Sequence, residues 1–579
     1  MKKIAVICLL FAVLAAFCSC SDGGVGESTE PSVSDVSVST AATSTAAAPI
    51  ATEPAETTPA ETTPAETTST TAAEEPPATP EERGYVLYSD FGATGNGEDD
   101  DFLAISAAHE YANAHGLSVK ADSGATYLFY VNSSGRQIDV KTDTNWTGAK
   151  FIINDRCIVV SEKKTHQKPI FRIAPDGESR VVTSVTSLSK DADNIGFEPG
   201  ERCLALIEDT SSKVYIRTGI HENSGYTKRE IVIVDERGNI DGQTPLTWDY
   251  DNVTSVTLFP TSDKPITVKG GEFHTVVNTQ PSIFTYFARN IKVERSNVTL
   301  ENITHTVEGE TDDGGAPYEG FIYVSKCANV TVKNCVFTPH YIYSRESTKD
   351  STSFGYDIHV NTATNVEFIG CTQTIPIEDN NYWGVFTSNF ARNITLLNCV
   401  LSRFDAHMGV YNVTIKGCTL GHQNIRLIGF GTALIEDTTI RSSEFINLRA
   451  DYGSTFNGKV IVKNCRYEPT AKLHSQSVLI KANNNCDHYY GYKCCFPELE
   501  IDGIVIDDRN AYGSYDGIYI LPTFTERTDF MNFETKDGYF TPEKITLRGI
   551  VLMSGKEYKI CGKSYLFSKT EIEQSADMK

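Results

Sequence analysis

The chain has 579 residues and is acidic, with 51 Lys and Arg against 75 Asp and Glu and a net charge of -24. Such a charge repels phosphate backbones, so a nucleic-acid partner is not expected.

The first segment, residues 1–20, has the pattern of an export signal. After a basic start, an apolar run from Ile4 to Phe17 is too short to favour a membrane span but suits a secretory signal. Its end resembles a bacterial lipoprotein signal, in which the cysteine that is lipidated would be Cys20. Phe17 and Cys18 are unusual there, which leaves cleavage to a free N-terminus open. We therefore expect an extracellular protein, anchored at the cell surface through Cys20, or secreted if Cys20 is not lipidated.

Residues 21–83 are rich in Ser, Thr, Ala, Pro and Glu, and the unit PAETT occurs at Pro54, Pro59 and Pro64. With almost no large apolar side chains, this segment cannot offset the entropy cost of ordering. It is predicted to be a disordered tether that holds the folded part away from the membrane.

Residues 84–130 read as a cap. Gly-rich turns lead into an Asp-rich start of a helix of about a dozen residues, where carboxylates suit the helix dipole. The helix should bury Phe102, Ile105, Ala108 and Ala112. It would cover the open end of the repeats that follow.

This cap resembles the start of the pectate-lyase-like superfamily, whose members begin with a DFGAxGDGxxDD pattern. The matching residues are Asp90, Phe91, Gly92, Ala93, Gly95, Gly97, Asp100 and Asp101. Asn96 departs from the pattern. The resemblance implies a parallel β-helix and, because members include lyases, hydrolases, epimerases and phage tail spikes, only a general expectation of action on carbohydrate. The matching Asp and Gly residues are interpreted as structural.

A seven-residue unit then recurs through residues 297–550. The copies are NVTLENI (297–303), NVTVKNC (329–335), NVEFIGC (365–371), NITLLNC (393–399), NVTIKGC (412–418), TALIEDT (432–438) and KVIVKNC (459–465), with weaker ones at 498–504 and 544–550. Positions two and four are apolar and their neighbours polar, as in a half-buried strand. The spacing between units varies while the strand is kept. The fold predicted over 84–579 is therefore all-β, a right-handed parallel β-helix with an N-terminal capping helix.

The same unit assigns five cysteines and five asparagines. The cysteines fall on its last position and should stack as a buried column rather than a disulfide framework, with partial disulfide pairing as the alternative. These residues are Cys335, Cys371, Cys399, Cys418 and Cys465. The leading asparagines should form hydrogen bonds at the turns between coils.

A second strand precedes several of these units and carries polar residues at alternate positions. The sets are Asp357, His359 and Asn361; Arg403, Asp405 and His407; His422, Asn424 and Arg426; and Asn447, Arg449 and Asp451. Another coil contains Tyr382 and Trp383. Acids, His, Arg and aromatics on neighbouring coils suit a polysaccharide groove.

The roles follow from the residue types. Asp405 is the predicted central acid or base, with His407 tuning its proton or acting as base, and Asp357 or Asp451 as a second carboxylate two coils away, about 10 Å along the ladder. Substrate binding is assigned to Arg403, Arg426, Arg449, His359, His422, Tyr382 and Trp383. Alternatively, Asp405 forms a surface ion pair with Arg403 or Arg426.

Hydrolysis and elimination both remain open. In elimination, Arg would neutralise a uronate carboxylate while His407 or Tyr382 removes the adjacent proton. No cofactor is expected. Calcium stays open as an alternative, although no cluster of adjacent acids on one strand supports it. The sequence NNNCDHYYGYKCC, residues 483–495, suggests zinc or, more readily, a disulfide.

The predicted function is thus an extracellular carbohydrate-active enzyme, a glycoside hydrolase or polysaccharide lyase, whose partner is a polysaccharide. It would contact the membrane only through the lipid anchor. A non-catalytic glycan-binding or adhesive β-helix is the alternative.

Overall fold

The computed structural model describes residues 78–161, 163–217, 224–280, 286–310, 317–344, 352–353, 355–482, 488–522, 539–562 and 567–575. The predicted signal, Cys20 and nearly all of the tether lie outside these residues. Pro80–Arg83, which the sequence analysis placed at the end of the tether, form a helical turn whose Glu81 accepts a hydrogen bond from Tyr111. The folded part therefore begins slightly before residue 84.

The repeats form the predicted right-handed parallel β-helix, in which each coil adds a strand to up to three parallel ladders. Phe386–Leu397 and Phe404–Lys416 run from the first ladder into the second without interruption. Phe456–Tyr467, Glu498–Ile506 and Lys544–Leu552 run in the same way from the second ladder into the third.

The first ladder contains Ile138–Val140, Phe171–Ile173, Ile291–Val293, Ile322–Ser325, Ile358–Asn361, the starts of Phe386–Leu397 and Phe404–Lys416, Ile425–Leu427, Ile446–Leu448 and Ile480–Lys481. The second contains Tyr85–Leu87, Ser118–Lys120, Thr144–Asn145, Ile266–Lys269, Val298–Glu301, Ala328–Lys333, Thr364–Ile369, the ends of Phe386–Leu397 and Phe404–Lys416, Gly429–Glu436, Phe456–Tyr467, Glu498–Ile506, Lys544–Leu552 and Glu571–Gln574. The third contains Asn96–Asp100, Thr126–Phe129, Lys150–Asn154, Glu272–Val276, Thr304–Glu308, Val336–Phe337, Thr372–Gln373, Val400–Leu401, Thr419–Leu420, Thr439–Ile440 and the ends of Phe456–Tyr467, Glu498–Ile506 and Lys544–Leu552.

The seven-residue unit forms the second ladder and the turn after it. Its apolar second and fourth positions, such as Val330 and Val332, are buried in the core. Its sixth position is Asn, Asp or Gly because the backbone turns there with positive φ, as at Asn334 (φ 53°) and Gly370 (φ 63°). The unit is therefore a strand followed by a turn that needs a left-handed residue.

The predicted roles of asparagine and cysteine are confirmed. The leading asparagines have positive φ and bond one another, with Asn365 Nδ2 donating to Asn329 Oδ1 at 3.0 Å and Asn393 Nδ2 to Asn365 Oδ1 at 2.9 Å. All five column cysteines are buried and free.

The predicted cap is also confirmed. The helix Phe102–His115 buries the four expected residues and packs against strands of the first coils. The aspartates hold turns, because Asp101 accepts from Thr94 N at 2.7 Å and Asp100 accepts from Asn132 N at 2.8 Å. Their structural interpretation is therefore supported.

An antiparallel sheet is inserted between Phe171–Ile173 and Ile266–Lys269, and the sequence analysis did not foresee it. Its strands, in chain order, are Arg180–Val182, Cys203–Val214, Tyr226–Val234 and Ser255–Pro260. It has its own apolar cluster and contacts the β-helix through the strand Phe386–Leu397. We call it the inserted sheet.

Short elements complete the described chain. Tyr343–Ser344 pairs with Thr352–Ser353, and Cys494–Cys495 pairs with Tyr539–Phe540. Single 3-10 turns are Ser89–Phe91, Val131–Ser133, Asp155–Cys157, Thr165–Gln167 and Ala450–Tyr452. Within the described residues, no helix combines the length and apolar character needed to cross a membrane.

Candidate active site

Several of the polar residues predicted to face a groove are buried. Arg403 and Asp405 alternate with the core residues Phe404 and Ala406, as expected, yet both polar side chains are 0% exposed and His407 is 6% exposed. An open groove along these positions was therefore a wrong expectation, because Trp383 packs against Arg403 and Arg449 contacts Asp405.

Trp383 provides part of the cover. Its ring lies 4.4 Å from the guanidinium of Arg403 and 5.5 Å from that of Arg426, and its indole donates to the Tyr356 hydroxyl at 2.9 Å. Arg403 also donates to the Trp383 carbonyl at 3.2 Å. Trp383 is 5% exposed, so here it closes the interior and does not present an open platform for a sugar ring.

Asp405 lies in a buried ion-pair network. Its carboxylate accepts from Arg403 and from Arg449 Nη1, which is 2.7 and 2.9 Å from the two oxygens. Burial alone would raise the pKa of Asp405, but the positive charges of Arg403 and Arg449 lower it. A carboxylate with both oxygens engaged by guanidinium groups suits a structural role, so the geometry does not support the predicted central acid or base.

Asp451 extends the same network. It accepts from Arg449 Nε at 3.1 Å, from Arg449 Nη2 at 2.7 Å and from Arg217 Nη1 at 3.3 Å. Arg449 therefore bridges Asp405 and Asp451. Its guanidinium is committed to carboxylates of the protein, which argues against the substrate-binding role predicted for it.

Asp357 belongs to a separate buried cluster. It accepts from His305 Nδ1 at 2.8 Å and from Thr338 N at 2.7 Å, and His340 Nε2 lies 3.3 Å away. Burial would raise the pKa of Asp357, but His305 and His340 lower it below its usual range. In the ladder, Val360 pairs with Ser388, which pairs with Ala406. Asp405 therefore shares a column with His359 and not with Asp357, and the two carboxylates do not oppose one another across a groove.

Two of the predicted histidines, His359 and His407, are joined by Asn389. His359 Nδ1 lies 3.1 Å from the Glu319 carbonyl, which only accepts, so this nitrogen carries the proton. His359 Nε2 then accepts from Asn389 Nδ2 at 2.8 Å, and Asn389 Oδ1 accepts from His407 Nδ1 at 3.0 Å. Burial lowers the pKa of His359 to about 3, which keeps it neutral and keeps this order of donors and acceptors.

The position of His407 depends on a β-bulge. Ser388 pairs with Ala406, but Asn389 pairs with Met408, so His407 is an extra residue on its strand. Bulges redirect a side chain and are frequent beside active sites. Here the bulge places the His407 ring beside Asn389, with Nε2 3.5 Å from the Tyr452 hydroxyl.

His359 and His407 both line a cavity of ≈ 290 Å³ at the border of the β-helix and the inserted sheet. The lining residues are Tyr226, Arg229, Tyr286, Glu319, Tyr323, Tyr356, His359, Asn361, Thr387, Asn389, Phe390, His407 and Met408. The mixture of aromatic rings, amides, one guanidinium and one carboxyl suits a polar ring-shaped ligand.

Glu319, Tyr323 and Asn361 form one wall of this cavity. Asn361 Nδ2 donates to the Tyr323 hydroxyl at 2.9 Å, and that hydroxyl bonds the Glu319 carboxyl. Burial raises the pKa of Tyr323 well above its usual value, and burial also raises the pKa of Glu319. Tyr323 therefore keeps its proton at neutral pH.

The inserted sheet supplies the opposite side. Tyr226 and Arg229 lie on its strand Tyr226–Val234, and the Arg229 guanidinium is 5.6 Å from the centre of the Phe390 ring. Arg229 Nε is also 3.5 Å from Glu208 of the adjacent strand. The cavity thus receives a cation from a part of the chain outside the repeats.

The remaining predicted binding residues serve the loops. His422 faces the carbonyls of Ile377 at 3.0 Å and Tyr382 at 2.9 Å, which ties down the loop between them. Arg426 donates to Gln423 at 2.8 Å. His422, Arg426 and Tyr382 are not among the residues that line the cavity.

Metal binding finds no support in the described ranges, where no group of three or more His, Cys, Asp or Glu is arranged to hold an ion. Cys486 of the sequence that suggested zinc lies outside those ranges. Cys494 is buried, and Cys495 Sγ lies 3.4 Å from the Thr455 hydroxyl.

The sequence analysis placed three of the cavity residues, His359, Asn361 and His407, in its groove sets and missed the others. Tyr323 could have been predicted, because the sequence FIYVS aligns with the strand that carries His359. Tyr323 pairs with His359 in the ladder. Asn389 follows from the same alignment. Tyr226 and Arg229 have no such signal, because the inserted sheet does not repeat.

No protein-family model matches this chain, and no curated protein sequence matches it either. Solved structures similar to it include three phage tailspikes. The gp61 tailspike of Pseudomonas phage phi297 is 14% identical with a TM-score of 0.49, and the alignment covers 84% of each chain. The gp49 tailspike of Pseudomonas phage LKA1 is 14% identical with a TM-score of 0.46, again over 84% of each chain.

The third is the Gp54 tailspike of Acinetobacter baumannii bacteriophage AP22, solved in complex with A. baumannii capsular saccharide. It is 11% identical with a TM-score of 0.41, over 85% of this chain and 79% of the tailspike. Because these similarities are distant, the function of this protein is inferred from its own side chains.

Proposed function

We propose that this protein is a carbohydrate-active enzyme that cleaves an acidic polysaccharide by elimination in the cavity between the β-helix and the inserted sheet. The observation that carries the proposal is the chain from the Glu319 carbonyl through His359 and Asn389 to His407. It assigns a proton to His407 Nδ1, so in the neutral tautomer the lone pair is on Nε2, which faces the Tyr452 hydroxyl at 3.5 Å.

The small number of acidic residues among the described residues that line the cavity favours elimination over hydrolysis. Glycoside hydrolysis generally needs a pair of carboxyl groups on either side of the bond that is cleaved. Among the described residues that line the cavity, Glu319 is the one acid. Asp357, Asp405 and Asp451 are held in ion pairs and are not part of that lining.

The proposed reaction assigns three roles. Arg229 binds the uronate carboxylate and stabilises the negative charge that develops on it. His407 Nε2 removes the proton from the carbon next to that carboxylate. Tyr323, protonated because burial raises its pKa, donates its proton to the oxygen of the departing sugar as the carbon–oxygen bond breaks and a carbon–carbon double bond forms. Asn389 and His359 act as positioning residues.

The test is a panel of acidic and neutral polysaccharides incubated with the purified protein. Elimination produces new reducing ends together with the ultraviolet absorbance of an unsaturated uronate, whereas hydrolysis produces reducing ends alone. Reducing ends without that absorbance would overturn elimination, and binding without either product would show a glycan-binding protein that is not an enzyme.

Two variants separate the roles. His407→Gln should lower kcat/KM by about 100-fold or more, the usual contribution of a general base. The exposed His474 offers a matched control, and His474→Gln should leave the rate unchanged. Asn389→Leu should alter the pH dependence of kcat/KM, because His407 then loses the acceptor that fixes its tautomer.

We also propose that the protein is exported and held at the cell surface by a lipid on Cys20, which lies outside the described residues. Cys20→Ser should release the protein from the membrane fraction into the medium. If the variant stays with membranes as the parent protein does, the anchor is not at Cys20.

A further inference from the structure

A second groove, of ≈ 430 Å³, lies on the second ladder, and none of its lining residues lines the cavity. It is lined by Asp241, Gln243, Asn329, Thr331, Asn365, Glu367, Asn393 and Thr395. We propose that this groove binds a neutral glycan chain. We call it the ladder groove.

The floor of the ladder groove is periodic. Thr331 pairs with Glu367, which pairs with Thr395, so these three side chains stand on successive rungs. The asparagines of the same rungs form the neighbouring column. Since rungs are about 4.8 Å apart, a linear polymer lying along the groove meets an amide and an oxygen group at each rung.

The amides keep hydrogen-bonding capacity for a ligand. Asn365 donates one N–H to Asn329 at 3.0 Å, and its oxygen accepts from Asn393 at 2.9 Å and from the Thr364 hydroxyl at 3.2 Å. A side-chain amide has two N–H donors and two acceptor lone pairs, so these bonds use both lone pairs and one of the two N–H donors. A sugar hydroxyl can accept from the second N–H.

The charge of the groove selects among sugars. Asp241 and Glu367 are acidic, and no Lys, Arg, His or aromatic residue is among the described residues that line it. Carboxylates accept from sugar hydroxyls but repel a polyanion. The ligand is therefore an uncharged glycan, unlike the acidic chain proposed for the cavity.

The wall of the groove is held in place by the β-helix. Asn393 Nδ2 donates to the Gln243 carbonyl at 2.9 Å, and Arg392 pairs with Glu230 of the inserted sheet at 2.7 Å. The Asp241 carboxylate accepts from Gln243 N at 2.8 Å. The site is thus preformed, which lowers the entropy cost of binding.

The experiment measures binding of the purified full protein to soluble neutral polymers, namely xylan, galactomannan, β-glucan and dextran, by affinity electrophoresis and calorimetry. Polygalacturonate serves as the acidic comparison. These neutral polymers have no uronate backbone to eliminate, so the result is independent of the reaction proposed for the cavity.

Thr331→Arg and Glu367→Arg fill the groove and add positive charge, and each should weaken binding to a neutral polymer by about tenfold or more. Thr299 lies one rung before Thr331 in the same column but outside the groove, so Thr299→Arg is the matched control and should bind as the parent does. Circular dichroism checks that each variant is folded.

Three results would overturn the proposal: no neutral polymer binds the parent protein, polygalacturonate competes as well as the neutral polymer does, or both groove variants bind like Thr299→Arg. Tight binding of one neutral polymer, lost in both groove variants and kept in the control, would establish the site.

Discussion

Asp405 is the residue whose predicted catalytic role differs most directly from its observed contacts. Asp405→Asn removes a negative charge between Arg403 and Arg449 while nearly conserving the shape of the side chain. The carboxylate is 0% exposed, so solvent cannot replace the missing charge. We expect this variant to lose stability before it loses catalytic competence.

The size of the effect follows from the contacts. Leaving a buried charge without its partner costs about 3–5 kcal/mol. The asparagine oxygen still accepts one guanidinium hydrogen bond, so Asp405→Asn should lower the free energy of unfolding by about 3 kcal/mol, the lower end of that range. Asp405→Ala, which keeps no acceptor, should approach about 5 kcal/mol.

Chemical denaturation measures this loss. Trp383 lies against Arg403, and its fluorescence reports the loss of this region. The control is Glu436→Gln, which removes a half-buried partner of the exposed Lys416 and should cost less than about 1 kcal/mol. Turnover is measured below the transition, where each variant is folded.

The opposite pattern would refute the structural interpretation. If Asp405→Asn unfolds with the parent protein but turns over its substrate about a hundredfold more slowly or worse, Asp405 is an acid or base after all. The roles proposed for His407 and Tyr323 would then need revision.

Three further predictions concern the scaffold. Burial would lower the pKa of His340, but the carboxylates on either side of it raise that pKa to about 10. Because the ordinary pKa of histidine is about 6.5, the contribution of His340 to stability is complete below about pH 6.5 and is lost as the pH rises toward 10. His340→Gln should flatten this part of a melting-temperature profile. Asn365 has φ 56°, so Asn365→Ala should lower the free energy of unfolding by about 1–2 kcal/mol. Asn365→Gly should recover the part of this loss that comes from backbone strain, as measured by chemical denaturation. The pKa of Cys399 is raised to about 12 by its neighbour Cys371 and by burial, so the native protein should not react there with iodoacetamide at neutral pH, in contrast to the denatured protein.

The sequence by itself determined the repeating architecture. Each copy of the unit carries a strand signal at its second and fourth positions, such as Val330 and Val332, and a turn signal at its sixth position, such as Asn334. These local preferences are satisfied in every copy. The buried cysteine column and the asparagine ladder follow from the same register. So does the cap, because an apolar helix face with an Asp-rich start needs no distant partner to be recognised.

Only the tertiary structure decided which polar residues reach a ligand. Arg403, Asp405 and His407 have the alternation of an exposed strand face, but that pattern does not reveal what lies over the strand. The ion pairs of Asp405 involve Arg449, 44 residues away in sequence, and Arg217 reaches Asp451 across 234 residues.

The same limit applies to the cavity. Its cation, Arg229, comes from an inserted sheet that interrupts the repeats, and His407 points to Asn389 because of one bulge. Periodicity reports which side of a strand meets the core. Burial of the other side is a property of loops and insertions, whose positions depend on contacts between distant parts of the chain.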